Sequence, residues 1–215
     1  ESLREFRVTE MRTTGLEGWT VVFDLDGTLV DTAPDLHAAL NYSLDRAGYQ
    51  TVPFDSIRDM IGQGAKAMIR KGIAFQDGSI SDEELEPLWE EFLAYYRDHI
   101  SDHSASFPGM LETLDFIDQE GGISCVCTNK TQALAEELLS SLGLTDRFAA
   151  IVGADAVPNK KPDGDHIVRT IAAAKGETLR SIMIGDSQTD ERAAWNARLP
   201  FVFVSFGYGP VPDRT

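Results

Sequence analysis

Cationic side chains are scarce in this chain. Only 19 of its 215 residues are lysine or arginine, against 35 aspartates and glutamates, for a net charge of −16. A phosphate backbone is bound through a Lys/Arg footprint, so nucleic acid is excluded as a partner. No basic cluster points to a membrane surface. No run of about 18 apolar residues supplies a spanning helix. Histidine is rare: His37, His99, His103 and His166 lack metal-ligand spacing and read as surface or satisfied core side chains. Cysteine is limited to Cys125 and Cys127. At i, i+2 on a strand they share one face, and no second pair completes a zinc site. They read as small buried side chains in a reducing, cytoplasmic setting. The first ten residues, ESLREFRVTE, mix charges without an apolar h-region and do not read as a secretory signal. Met11 is a possible internal start.

What is present is alternation. Buried strands are expected at Trp19–Phe23, Ile123–Cys127, Ala149–Gly153, Ser181–Gly185 and Phe201–Val204. Amphipathic stretches lie between the later ones, and Gly121 and Gly143 read as the residues that stop two of those helices. Strand–helix alternation implies an α/β fold, a doubly wound parallel sheet of Rossmann-like type. Residues 34–104 break the rhythm. They hold no good strand and read as successive helices: APDLHAALNYSLDRAG, DSIRDMIG, GAKAMIRKGIAF and SDEELEPLWEEFLAYYRDHI. Ser81 to Glu84 has the cap and acidic first turn of a helix start. The division expected is an extension of unassigned role (1–18), an α/β core (19–33 and 105–215) and an inserted all-helical cap (34–104). A unit inserted there would cover the strand C-termini, the edge where open sheets bind ligands.

Carboxylates mark that edge. VVFDLDGTLVD places Asp24 and Asp26 just past a buried strand, and IGDSQTD places Asp186 and Asp190 just past another. Buried like charges repel, and a divalent cation relieves them; oxygen ligands without a Cys/His cluster favour Mg2+ over zinc. CTNK brings Thr128 and Asn129, and NKKPD brings Lys160 and Lys161. Hydroxyl, N–H and ammonium donors suit a phosphoryl group. A carboxylate nucleophile beside a metal and phosphate binders is a setting for aspartyl-phosphate chemistry.

The order DLDGT (24–28), T-N (128–129), KKP (160–162) and GDSxxD (185–190) resembles the four motifs of the haloacid dehalogenase superfamily. Within it, DLDGTLVDTAPDL, IGQGA, TNKTQALAEELLSSLGL and FGYG resemble the phosphoglycolate phosphatases. The match runs from about Trp19 to Tyr208. The resemblance implies Asp24 as nucleophile and Asp26 as acid and base, with Gly27 and Thr28 shaping the turn at the phosphate. It implies Mg2+ held by Asp24, the Asp26 carbonyl and Asp186, with Asp190 orienting water or Lys161. Thr128 and Lys161 would bind the transferring phosphoryl group, with Asn129 beside them. Lys160 is expected to be a solvated lysine. Gly164 stands where the family often has a second proline, so a looser loop is expected there.

In the cap, Gly62 and Gly64 precede a helix whose N-terminal amides can hold an anion. Lys66 and Arg70, one turn apart, would capture a second anionic group, the carboxylate of 2-phosphoglycolate, with Lys71 adding charge. The plainer alternative is a glycine loop with solvated basic residues, and the aromatic stripe Trp89–Tyr96 reads as cap core. The expected activity is Mg2+-dependent hydrolysis of a small anionic phosphorylated metabolite, foremost 2-phosphoglycolate to glycolate and phosphate, through an aspartyl-phosphate, by a monomer or a homodimer. Rival readings are a sugar-phosphate phosphatase or phosphomutase, a pyrophosphatase or nucleotidase, a 2-haloacid dehalogenase, and a non-catalytic binding module.

Overall fold

The computed structural model describes residues 15–210; the possible start at Met11 and the rest of 1–14 lie outside them, as do residues 211–215. The first strand, β1 (Thr20–Phe23), is wholly buried. A short β2 (Val30–Asp31) follows the carboxylate turn. The helices α1 (Ala33–Arg46), α2 (Ala65–Ala74) and α3 (Asp82–Asp98) come next, and the chain returns through β3 (Ala105–Ser106), paired antiparallel with β2. The remainder alternates: α4 (Met110–Gln119), β4 (Ile123–Cys127), α5 (Gln132–Ser141), β5 (Ala150–Val152), α6 (Gly164–Ala173), β6 (Ser181–Gly185), α7 (Gln188–Ala197) and β7 (Phe201–Phe203).

The sheet order is β5-β4-β1-β6-β7, all parallel, with β1 central. The chain builds outward through β4 and β5, then crosses to β6 and β7. Period-two alternation splits the core. Val21, Phe23 and Val126 join the side carrying Leu114, Ile117, Leu134 and Leu138 of α4 and α5. Val22, Cys125, Cys127 and Met183 join the side carrying Ile167 and Ile171 of α6 and Ala193 and Ala194 of α7. Both cysteines are therefore buried on one face, as free thiols.

The sequence expectation for the elements holds with three adjustments. DSIRDMIG is two short 3-10 turns, Phe54–Ser56 and Arg58–Met60, rather than a helix. The β5 strand is shorter than the apolar run around it. The pair β2/β3 forms a stem under the helical unit, too short for its hydrophobic pattern to announce. Asp35, in the first turn of α1, reinforces that stem by accepting bonds from the His103 and Ser104 N–H groups and the Ser104 hydroxyl. Ser81 and Glu84 form a reciprocal capping box on α3, and Gly121 and Gly143 sit with positive φ just past α4 and α5.

Candidate active site

Parallel pairing brings the strand C-termini to one edge. Phe23 is in register with Val126 and Ile184, so the residues after β1, β4 and β6 converge. The Asp24 N–H continues the ladder to the Ile184 carbonyl at 2.9 Å, and the Thr128 N–H reaches the Val152 carbonyl of β5 at 3.1 Å. Asp24, Thr128 and Asp186, each directly past a strand, and Lys161, in the loop after β5, are all buried there.

Carboxylate oxygens of Asp24, Asp186 and Asp190 lie within 4.8 Å of one another. Among the described residues one cation faces them: Lys161 donates to Asp24 Oδ1 and to Asp190 Oδ1, each at 2.7 Å. Burial works against the charged form of Lys161, but Asp190 and Asp24 outweigh it and raise its pKa. Burial and the neighbouring Asp190 raise Asp24 well above the usual carboxylate range. The same two causes push Asp186 up to about 6, although the Tyr208 and Gly209 N–H groups favour its anion. With all three ionised, the carboxylates would exceed the one ammonium by two negative charges. This all-oxygen set fits a divalent cation, which would supply the missing positive charge.

The Asp26 carboxylate is not in that cluster. Its Oδ1 accepts from the Thr32 hydroxyl at 2.7 Å and lies 3.1 Å from the Lys130 ammonium. Gly27, at φ +89°, turns the chain between Asp26 and Thr28, and a Cβ there would overlap the Asp186 carboxylate. The Thr28 hydroxyl faces Asp186 Oδ1 at 3.4 Å. Asn129 donates to the Lys161 carbonyl at 3.0 Å and the Gly62 carbonyl at 3.2 Å, while its buried Oδ1 has no partner.

Four further residues shape the site without standing out in the sequence pattern. Lys130, inside the TNK triplet, is buried and donates to the Tyr96 hydroxyl of α3 at 3.0 Å. Burial opposes its charge, and Asp26 and Tyr96 more than restore it, so its pKa is raised. Tyr208, inside FGYG, uses its N–H on Asp186 Oδ2 at 2.6 Å. Its hydroxyl accepts from the Thr32 and Ala33 N–H groups and donates to Asp31, tying the Asp186 side of the site to the start of α1. Ser187 caps α7 and binds Asp190 Oδ2 through both N–H and hydroxyl. His166 accepts from the Lys161 N–H at its Nδ1, 3.2 Å away, so its Nε2 carries the proton and donates to the Val152 carbonyl at 3.1 Å. Lys161 is thus held at both backbone and ammonium, and no looseness attaches to Gly164. That glycine lies against the Asn196–Ala197 backbone, where a Cβ would come 2.5 Å from the Ala197 nitrogen.

The helical unit closes the edge. A cavity of about 410 Å3 lies between it and the core, lined by Asp24, Asp26, Thr128 and Lys130 below and by Trp89 and Tyr96 above. Lys66 and Arg70 line it too, but each is engaged. Lys66 pairs with Glu86 at 2.5 Å and sits over the Trp89 ring. Arg70 pairs with Asp82 and donates to the Ile80 carbonyl at 2.6 Å. Lys71 donates to the Asp59 carbonyl at 2.8 Å. Lys160 is exposed yet not simply solvated: it donates to the Gln63 carbonyl at 2.9 Å, fastening the Gly62–Gly64 loop to the core. Phe92 and Tyr96 of α3 are buried, in one cluster with Phe23 and Leu25 of the core, and the same stripe also walls the cavity.

Residues 21–204 match the family model described as haloacid dehalogenase-like hydrolase. A phosphoglycolate phosphatase of Agrobacterium fabrum is 46% identical over 191 residues, covering 89% of this chain and 82% of that one. One from Caulobacter vibrioides is 44% identical over 200 residues, covering 93% and 84%. A crystal structure described as a predicted phosphoglycolate phosphatase from Haemophilus somnus superposes with a TM-score of 0.83 at 26% identity, covering 90% of this chain and 88% of that one. With three motif-bearing strand ends and the Lys161 loop converging beneath an inserted helical unit, this chain belongs to the haloacid dehalogenase-like hydrolases.

Proposed function

We propose that this phosphoric monoester hydrolase acts on 2-phosphoglycolate, releasing glycolate and phosphate through an intermediate on Asp24. The observation that supports it most is the buried cluster of Asp24, Asp186 and Asp190, the first and last of them paired with the ammonium of Lys161. An Asp24 oxygen attacks phosphorus and the ester P–O bond breaks. Asp26 gives its proton to the departing glycolate oxygen. A water then attacks phosphorus, its proton goes to Asp26, and the bond to Asp24 breaks to free phosphate. Thr128 and Lys161 hold the phosphoryl oxygens during both steps. Asp24, Asp186 and the Asp26 carbonyl are the groups that would hold Mg2+, with Asp190 fixing Lys161. When bound, the metal screens carboxylate–phosphate repulsion and offsets charge on the equatorial oxygens.

The helical unit, assigned to residues 34–104, serves as the cap that excludes bulk water. The buried, free Cys125 and Cys127 suit a reducing cytoplasm, and the charge of −16 disfavours nucleic-acid partners. A sugar phosphate is the second reading, favoured by a cavity roomier than glycolate needs. The test is phosphate release from 2-phosphoglycolate, sugar phosphates, nucleotides and pyrophosphate, compared by kcat/KM with and without Mg2+. The 2-phosphoglycolate value is expected to lead, and Asp24→Asn to abolish it. Inactivity across the whole panel with Mg2+ present would refute the reading.

A further inference from the structure

Lys130 is a buried cation that none of the proposed chemical steps uses. Its ammonium carries three hydrogens. One goes to the Tyr96 hydroxyl at 3.0 Å and one to Asp26 Oδ1 at 3.1 Å. Among the described residues no further acceptor is bonded to it, and it lines the same cavity as Asp24 and Thr128. The cations expected from the sequence to meet a second anionic group are placed differently. Lys66 and Arg70 pair with Glu86 and Asp82 of the helical unit, and their side chains are 43% and 39% exposed, where solvent weakens any pairing with a ligand. The Lys130 side chain is 6% exposed, and its carboxylate partner is Asp26 of the site itself. A charge-assisted hydrogen bond from such a site is stronger and more selective.

We propose that Lys130 is the specificity residue of this site, its ammonium binding a carboxylate carried next to the ester oxygen of a short phosphomonoester. The inference rests on the phosphatase reading and deepens it. Asp26, as proton donor, must come within about 3 Å of the ester oxygen. In 2-phosphoglycolate the carboxylate carbon is only two bonds from that oxygen. An ammonium 3.1 Å from Asp26 is therefore in the right neighbourhood to meet the carboxylate with its remaining hydrogen. A neutral substrate offers that hydrogen only a weaker partner. Tyr96 adds a second consequence. It belongs to α3 of the cap, is fully buried, and its ring centroid lies 4.5 Å from the same ammonium. The cap therefore holds Lys130 in place, so closure and recognition of the anion are coupled.

The experiment compares 2-phosphoglycolate with 2-hydroxyethyl phosphate, in which a hydroxymethyl group replaces the carboxylate. The wild-type enzyme is expected to favour 2-phosphoglycolate in kcat/KM by about a hundredfold. Lys130→Met keeps the length of the side chain and removes its charge. It is expected to raise KM for 2-phosphoglycolate and bring the ratio of the two substrates near unity. Lys130→Arg, which retains a cation, is expected to keep most of the preference. An equal fall on both substrates in Lys130→Met would mean that Lys130 only positions Asp26, and would overturn the proposal. So would a preference that survives Lys130→Met but collapses in Arg70→Ala. No preference in the wild type would refute the 2-phosphoglycolate reading itself, which separates the two failures. Should circular dichroism show Lys130→Met unfolded, Tyr96→Phe takes its place. A several-fold loss of discrimination supports the assignment, and full retention overturns it.

Discussion

His166 makes a prediction whose sign and size follow from its two hydrogen bonds. The ring is fully buried at the start of α6, accepting at Nδ1 from the Lys161 N–H and donating from Nε2 to the Val152 carbonyl. A second proton would set an Nδ1–H against the Lys161 N–H and a positive ring near the Lys161 ammonium. Burial and, after it, the charge of Lys161 lower the His166 pKa from 6.5 to about 4. As pH falls below 6.5 the unfolded chain takes up this proton, while the folded chain does not until about pH 4. Over that window the unfolded state binds more protons, so acid destabilises the fold. The loss is complete below the folded value, and the interval is worth at most about 3 kcal/mol. The perturbation is His166→Asn, which keeps an acceptor near the Lys161 N–H but cannot titrate. The assay is the urea midpoint of wild type and variant from pH 7.5 to pH 4. Wild type should be the more stable at pH 7.5, by roughly 1 kcal/mol for the lost Nε2 bond. Its advantage should shrink with acid as its own proton penalty grows. Parallel curves would refute the buried, neutral tautomer and with it the account of how Lys161 is held.

Mg2+ at about a hundred times its Kd should stabilise the chain by about 2.7 kcal/mol, a rise in Tm of roughly 5–10 °C for a chain of this size. Asp186→Asn should abolish that rise in a thermal melt, and a rise that persists would remove Asp186 from the metal ligands. Gly27→Ala would place a Cβ 2.8 Å from the Tyr208 ring and against the Asp186 carboxylate, at a φ of +89°. Left-handed backbone costs a non-glycine residue roughly 1–2 kcal/mol. The variant should release phosphate at least about tenfold more slowly, read as kcat/KM, and wild-type kinetics would show that the turn is more tolerant than its packing indicates.

The sheet and the carboxylate edge are legible because each is written locally. An apolar run ending in DLDGT or GDSQTD carries its strand and its site residue in the same few positions, and parallel pairing then aligns the ends. Helix limits are local as well, at Ser81, Gly121 and Gly143. The β2/β3 stem escapes because two residues of pairing carry no period. Partner choice among charges escapes for a different reason. Lys66, Arg70, Lys130, Lys160 and Lys161 look alike as residue types. What distinguishes them is which carboxylate or carbonyl the fold sets within hydrogen-bond reach. Arg70 meets Asp82 and the Ile80 carbonyl, which lie close by in the chain. Lys130 and Lys161 meet Asp26 and Asp24 across more than 100 positions. Spacing rules describe neighbours on one helix or strand, so they favour Lys66 and Arg70 as a pair and are silent about Lys130. In a chain this acidic, a basic residue exposed on a helix readily finds a nearby carboxylate. The cations left to act on a substrate are then those whose partners belong to the site itself, which turns attention from the surface of α2 to the buried loop after β4.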